Sequence, residues 1–262
     1  MTDGSMLDVH RPVSGLADLV ECCWGGRSDG RRGVRELVLP TGATSLVFSI
    51  DDGGRIAGVV TGPHSRAITL DTSRAFAAVG VKFRIGGAFP FFSAPGGELH
   101  NQVVDADDLW RVNVDSLADK VWEAQSLAEK IGVIQRALLE QLSRAPSRHP
   151  AVDFALREID RSRGGCRIRG LADTVGISTR RLGQLFEREV GLPPKLFAGM
   201  RRFGEVLRLL ESPGQLDLTT VALSSGYYDQ AHFNHEFRRF AGMDPSAYRA
   251  RRLSPTHVSV DG

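Results

Sequence analysis

Residues 172–248 contain one pattern written twice. Leu182, Phe186, Gly191, Pro194 and Phe197 recur as Phe233, Phe237, Gly242, Pro245 and Tyr248, each 51 residues later. Ahead of them, Ala172 and Gly176 return as Ala222 and Gly226, so the second copy carries one extra residue in its turn. A repeated spacing marks a repeated supersecondary unit and constrains the fold more than any single motif does. Each copy reads as a short helix, a glycine turn and a longer helix, the sequence form of a helix-turn-helix. Glycine at 176 and 226 suits a helix end where the chain turns left-handed. Ser178 or Thr179 can cap the following helix in the first copy, and Asp229 can do so in the second. Between the copies, "PKLFAGMRRFGEVLRLLES" predicts one long helix with Pro194 in its first turn, rising about 27 Å over its eighteen or so residues.

The two longer helices are amphipathic. In the first, Leu182, Leu185 and Phe186 define a buried face, with Arg180, Arg181, Gly183 and Gln184 mostly on the other side. In the second, Phe233, Phe237 and Phe240 are the buried set, and Gln230, Ala231, His232, Asn234 and His235 take exposed or flanking positions. A helix that enters a major groove presents long polar groups from one face near its N-terminus. Arg180 and Gln184, one turn apart, meet that requirement. Ala231 and His235 are a similar pair, although alanine reaches no more than a thymine methyl. Arg181 is as suited to phosphate as to a base. Arg201, Arg202, Arg238, Arg239 and Arg249 are placed for phosphates, which set register without reading sequence. For all of these an ordinary solvated helix face is the competing reading. His232, His235 and Glu236 also suggest metal ligands, but no convergent ligand set lies nearby, so no metal is expected.

Charge is uneven along the chain. Residues 151–262 hold 17 Lys/Arg against 13 Asp/Glu, whereas residues 1–150 hold 16 against 18. The basic half is the half with the repeat. The other half has β-prone runs, "RELVLP", "TSLVFSI", "RIAGVV" and "AFAAVGVKFRI", split by Gly, Asp and Pro turns. They predict a compact barrel or sandwich. "LADLVECCW" predicts a leading helix or strand, and "GGRSDGRRG" an exposed loop. "GGAFPFFSAPGGELHNQ" is either a lid over a pocket or a loop tucked against the sheet. "DADDLW" predicts a helix start with Trp110 turned inward. Leu117, Val121, Ile131, Ile134, Leu138 and Leu142 recur at helical spacing, and "SRAPSRHP" reads as a linker. The expected class is α+β, with residues 1–145 a β-rich domain carrying a helical segment and residues 152–252 an all-α domain.

Little points to chemistry. Cys22, Cys23 and Cys166 make no disulfide framework or C-x-x-C pair, which fits a reducing compartment. No secretory signal and no apolar run of about 18 residues is visible, so a cytoplasmic chain with no membrane span is expected. His64, Glu98 and His100 lack the spacing of a cupin metal set, and no catalytic triad or carboxylate pair stands out. No cofactor and no enzymatic activity are expected. Cys166, between arginines in "GGCRIRG", keeps one alternative open, because a reactive thiolate needs an electropositive site.

"GYYDQAHFNHEFRRFAGMDPSAYR", residues 226–249, closely resembles the C-terminal signature of AraC-type transcription regulators. "LADTVGISTRRLGQLFEREVGLPPKLF" looks like the other half of the same bihelical domain, and the resemblance covers about residues 152–252. It implies a sequence-specific binder of double-stranded DNA whose reading helices, about 179–190 and 229–241, enter successive major grooves, bridged by the long helix. Carried over position by position, base contacts fall to Arg180, Arg181, Gln184, Gln230, Ala231 and His235. Backbone contact or positioning falls to Ser178, Thr179, Arg201, Arg202, Asp229, His232, Asn234, Arg238 and Arg249. Gly183 stands where many members carry a side chain that reaches DNA, so readout is expected to be thinner there. Glu236 matches the apolar Leu185 of the first copy, and tight burial is not expected at it.

The N-terminal runs "LPTGATSLVFSI" and "VGVKFRIGGAFPFFSAPGGEL" resemble the sensor-like domain of a subgroup of the same regulators. The wider family uses cupin-like domains there to bind small effectors or to dimerise. The resemblance therefore implies a small-molecule effector, RNA polymerase and a second copy of the chain as further partners. The rings of "GGAFPFF" and "DDLW" suit an apolar effector pocket. Two other readings stand beside this one: a reactive-cysteine or enzymatic N-terminal activity, and a constitutive DNA binder whose first domain only dimerises.

Overall fold

The β-prone runs pair as antiparallel strands, β1 (Met6–His10), β2 (Val20–Asp29), β3 (Arg35–Val38), β4 (Ser45–Asp51), β5 (Ile56–Thr61), β6 (Ile68–Asp71), β7 (Ala75–Phe83) and β8 (Val103–Asp105). They belong to a computed structural model that describes residues 6–29, 35–71, 75–143, 146–212 and 216–252. Six strands form one sheet in the order β1-β2-β7-β4-β5-β8, and β3 pairs with β6 in a second. The segment "LADLVECCW" becomes strand from Val20, and the strand runs on to Asp29, through residues expected in a loop. Both of its edges are paired, to β1 and to β7. Gly25 leaves room there for Leu127, whose Cδ1 would lie 2.3 Å from any Cβ at that position. The remainder of "GGRSDGRRG" lies outside the described residues.

In β4, Leu46 and Phe48 are fully buried while their neighbours are half-covered, as a two-residue period requires. The buried face meets α1 (Ala106–Leu109), α2 (Val114–Glu123) and α3 (Leu127–Leu142). Asp105 caps α1, accepting from the Asp107 N–H at 3.2 Å, and Ser126 with Glu129 forms a capping box on α3. Trp110 is inward as expected. It packs edge-on against Phe92 at 6.4 Å, and Phe92 meets Phe83 at 5.8 Å. Phe91 lies 5.4 Å from Phe83. These rings fill one another's space, so the glycine- and proline-rich stretch is a loop tucked on the core and not a lid. Phe91, Phe92 and Trp110, three of the rings expected to line an apolar effector pocket, are buried in this core.

The C-terminal helices are α4 (Pro150–Arg161), α5 (Ile168–Thr174), α6 (Thr179–Val190), α7 (Pro194–Glu211), α8 (Leu218–Ser224), α9 (Gln230–Ala241) and α10 (Pro245–Arg252). The repeat survives in atomic detail. Ile177 N–H reaches Ala172 O at 3.1 Å, and Tyr227 N–H reaches Ala222 O at 3.1 Å. Gly191 and Gly242 close α6 and α9 in the left-handed region, at φ 88° and 72°. Phe186 rests on Phe197 at 5.8 Å, and Phe237 on Tyr248 at 5.6 Å. Each copy has its own core, one around Leu182, Phe186 and Phe197, the other around Phe203, Phe233 and Phe237.

The β-rich domain touches both copies at the C-terminal ends of their longer helices. The 3-10 turn Gly96–Leu99 lies against the end of α6, so close that a Cβ on Gly96 would stand 2.7 Å from Gly191 N. Pro63 crowds Gly191 as well. Ala67 N–H donates to Phe240 O, at the end of α9, across 2.7 Å. His100 Nε2 bonds Ser65 Oγ at 2.8 Å within this seam. Burial, His100 and Arg66 push the His64 imidazole below its ordinary pKa, and burial, Arg66 and Arg239 do the same to His100. The cleft between the domains, lined in part by Thr44, Phe92, Leu99 and Val190, holds about 20 Å³. That is room for a water molecule.

Candidate nucleic-acid interface

Helix α6 starts at a cap. Ser178 Oγ accepts from Arg181 N–H at 3.1 Å, and Thr179 is the first helical residue, outside the cap itself. From this start, Arg180, Arg181 and Gln184 project into solvent while Leu182, Leu185 and Phe186 are buried. A Cβ at Gly183 would meet nothing within 4 Å, so the surface is open there, as expected. The N-terminal ends of both longer helices lie at the surface, where the helix dipole favours an anion; at α9 the Asp229 carboxylate already supplies one.

Helix α9 repeats the arrangement with a different cap. Asp229 Oδ1 accepts from His232 N–H at 2.7 Å. Gln230, Ala231 and His235 are exposed, and Asn234 is half-buried beside them. The His232 ring is exposed too, but it leans edge-on against Tyr227 at 5.3 Å. It therefore borders the packed face as well as the polar one.

One residue of this surface is not legible from the amphipathic pattern. Tyr228, directly ahead of the Asp229 cap, is 91% exposed. It belongs to the turn that is one residue longer in the second copy, and that extra residue is the signal that marks it. A bare aromatic ring at the start of a reading helix can stack on a base or lie along a sugar.

The other arginines are largely committed to the protein. Arg201 Nη2 pairs with Asp160 at 2.7 Å. Arg238 pairs with Asp244. Arg249 Nη2 donates to Leu216 O at 2.9 Å. Arg201 and Arg238 stay partly exposed, so a phosphate would have to share them. Arg202 turns mostly inward. Its Nη1 donates to Gly164 O at 2.8 Å, and its Nη2 donates to both Glu236 carboxylate oxygens at 3.0 and 3.1 Å. The Arg202 and Glu236 side chains are only 18% and 14% exposed. Two expectations change here: Arg202, expected at a phosphate, is bonded within the protein, and Glu236 is largely covered because a cation is buried with it. The Tyr227 phenol lies beside this pair, and burial followed by the Glu236 charge raises its pKa.

Burial works against a reactive thiolate at Cys22 and Cys23. Cys23 is fully buried, and burial, helped by Cys22, pushes its thiol up to about 12. Burial raises Cys22 as well, against the opposing charge of Lys82.

Residues 171–251 match a family described as a helix-turn-helix domain, and residues 8–105 match one described as a domain of unknown function, DUF6597. The arabinose operon regulatory protein of Escherichia coli (strain K12) is 27% identical over 127 residues, 46% of this chain and 43% of that protein. The protein of the same description from Salmonella typhimurium (strain LT2) is 26% identical over 167 residues, 62% of this chain and 54% of that one. The chain thus spans about half the length of the relatives it matches. A solved structure described as a probable AraC family transcriptional regulator from Rhodopseudomonas palustris CGA009 aligns at 29% identity, over 39% of this chain and 97% of that one, with a TM-score of 0.35. Among the described residues no helix is long and apolar enough to cross a membrane.

Proposed function

We propose that the chain is an AraC-type transcription regulator, with a β-rich domain ahead of a C-terminal helix-turn-helix domain, and that it binds double-stranded DNA sequence-specifically to regulate transcription. One observation carries the reading. Both copies of the repeat turn a capped polar face outward, Arg180, Arg181 and Gln184 on α6 and Gln230, Ala231 and His235 on α9, above buried Leu182, Phe186, Phe233 and Phe237. Arginine pairs bidentately with guanine and glutamine with adenine in the major groove. Ser178 and Asp229 hold the helix starts, and Thr179, Asn234, His232, Arg201, Arg238 and Arg249 flank the polar faces as backbone or positioning groups.

Duplexes selected from a randomised pool with the full chain give the preferred sequence. Against it, Arg180→Ala or Gln184→Ala will each cost about 1–3 kcal/mol of discrimination at one base position, roughly 5- to 150-fold. Binding to random duplex will change far less. A Gln184→Ala chain that ranks every single-base variant of the site as the parent does would remove Gln184 from base readout.

The β-rich domain is assigned to control. It bears on the C-terminal ends of α6 and α9 through Gly96 and Ala67, so a small effector or a second copy bound by residues 1–145 would shift both reading helices together. RNA polymerase is the further partner of this reading, and the cytoplasm its compartment. Sedimentation of the full chain with and without the selected duplex distinguishes a dimer from a single copy on the site.

A further inference from the structure

We propose that Arg202 is a positioning residue that fixes the distance between the two sequence elements the chain reads; this rests on the DNA-reading function above. Arg202 lies midway along α7 and holds both halves of the repeat with one planar group. Its Nη1 bonds Gly164 O, in the turn between α4 and α5, which belongs to the first core. Its Nη2 bonds the carboxylate of Glu236 on α9, in the second. The guanidinium also lies 5.6 Å from the centre of the Tyr227 ring, in the turn that leads into α9. The first copy has the apolar Leu185 where the second has Glu236, so only the second reading helix carries this tie.

Glu236 is six residues from Gln230, a lever of about 9 Å along the helix. A 10° swing of α9 about that tie would move its reading end by roughly 1.6 Å, beyond the ~0.5 Å within which a recognition geometry must be held. The guanidinium fork resists such a swing because its donors are fixed in one plane. The consequence is a narrow tolerance for spacing in the DNA. One added base pair shifts the second element by about 3.4 Å and turns it by roughly 35°.

The test uses the full chain and the Arg202→Met/Glu236→Leu double variant, which supplies to α9 the leucine that α6 already has. Duplexes are selected from a randomised pool, and one base pair is then inserted or deleted between the two elements. The parent chain will lose about tenfold or more in affinity per step, whereas the double variant will lose about threefold or less, with unchanged base preference inside each element. Arg202→Lys, which keeps the charge opposite Glu236 but reaches one partner at a time, will fall between them. It also serves if the double variant melts early. Equal spacing penalties in the parent and both variants would overturn the proposal and leave the DNA-reading function standing. A parent chain that selects a single element would overturn this proposal alone, and one that selects no preferred sequence would overturn both.

Discussion

Arg202→Ala will lower the stability of the C-terminal half by about 3 kcal/mol. The substitution removes one member of an ion pair whose side chains are 18% and 14% exposed, and it strands the Glu236 carboxylate against Tyr227, Gly199 and Phe240. An uncompensated charge in such a site costs about 3–5 kcal/mol, and the residual exposure of both groups places this pair at the lower end. The carbonyl of Gly164 loses its donor in the same step, which adds to the loss. Taking both charges away is different in kind. Arg202→Met/Glu236→Leu fills the space with apolar groups and will stay within about 1 kcal/mol of the parent, because pair desolvation roughly cancels pair attraction. Urea unfolding followed by helical circular dichroism separates the two cases. If the double variant were as unstable as the single one, the pair would contribute through its attraction and not merely through the cost of breaking it.

Gly96→Val will open the seam between the domains. A Cβ at this position would stand 2.7 Å from Gly191 N, 2.9 Å from Gly191 Cα and 3.2 Å from Arg188 O. All three are backbone atoms at the end of α6, so no side chain can swing aside to make room. Overpacking of this kind costs about 1–3 kcal/mol, and the full figure is expected because the obstacle is backbone on both sides. Separating the domains relieves it without unfolding either core. Arg148, which bonds Asp153 and reaches Ile85 O across the domains, would then be released. Tryptic cleavage after Arg148 is expected to accelerate about 100-fold, the kinetic equivalent of roughly 3 kcal/mol, with a larger radius of gyration in small-angle scattering. An unchanged cleavage rate with a lower melting temperature would mean that Gly96 strains its own domain and leaves the seam closed.

The C-terminal half was legible because its determinants are local. Left-handed glycines, a serine and an aspartate at helix starts, and apolar residues at three- and four-residue steps all act within one turn of where they stand. Ser178, Asp229, Phe233 and Phe237 are accordingly where their spacing puts them. The destinations of the arginines were not legible. A long flexible side chain chooses among partners far away in sequence, and Arg201, Arg202, Arg238 and Arg249 found theirs at Asp160, Glu236, Asp244 and Leu216 O. A like uncertainty hid the burial of Glu236, which is explicable only once its cation is known. In the β-rich half the runs announced strands, but not that β2 would continue through Gly25 and Gly26, since pairing on both edges is a long-range property.

Gly191 and Gly242 occupy matching places in the repeat, and the sequence makes them look interchangeable. They are not equally free to vary. At Gly242 a Cβ would meet nothing within 4 Å, so the position asks only for a residue at ease in the left-handed region, and asparagine meets that condition. At Gly191 a Cβ would strike Pro63 at 2.6 Å and Gly96 O at 2.8 Å. Among descendants of one ancestral chain, drift at 242 can proceed unaided, whereas drift at 191 needs a simultaneous change across the seam. Two positions that the repeat makes alike thus differ in what constrains them, and only Gly191 is held by a second domain.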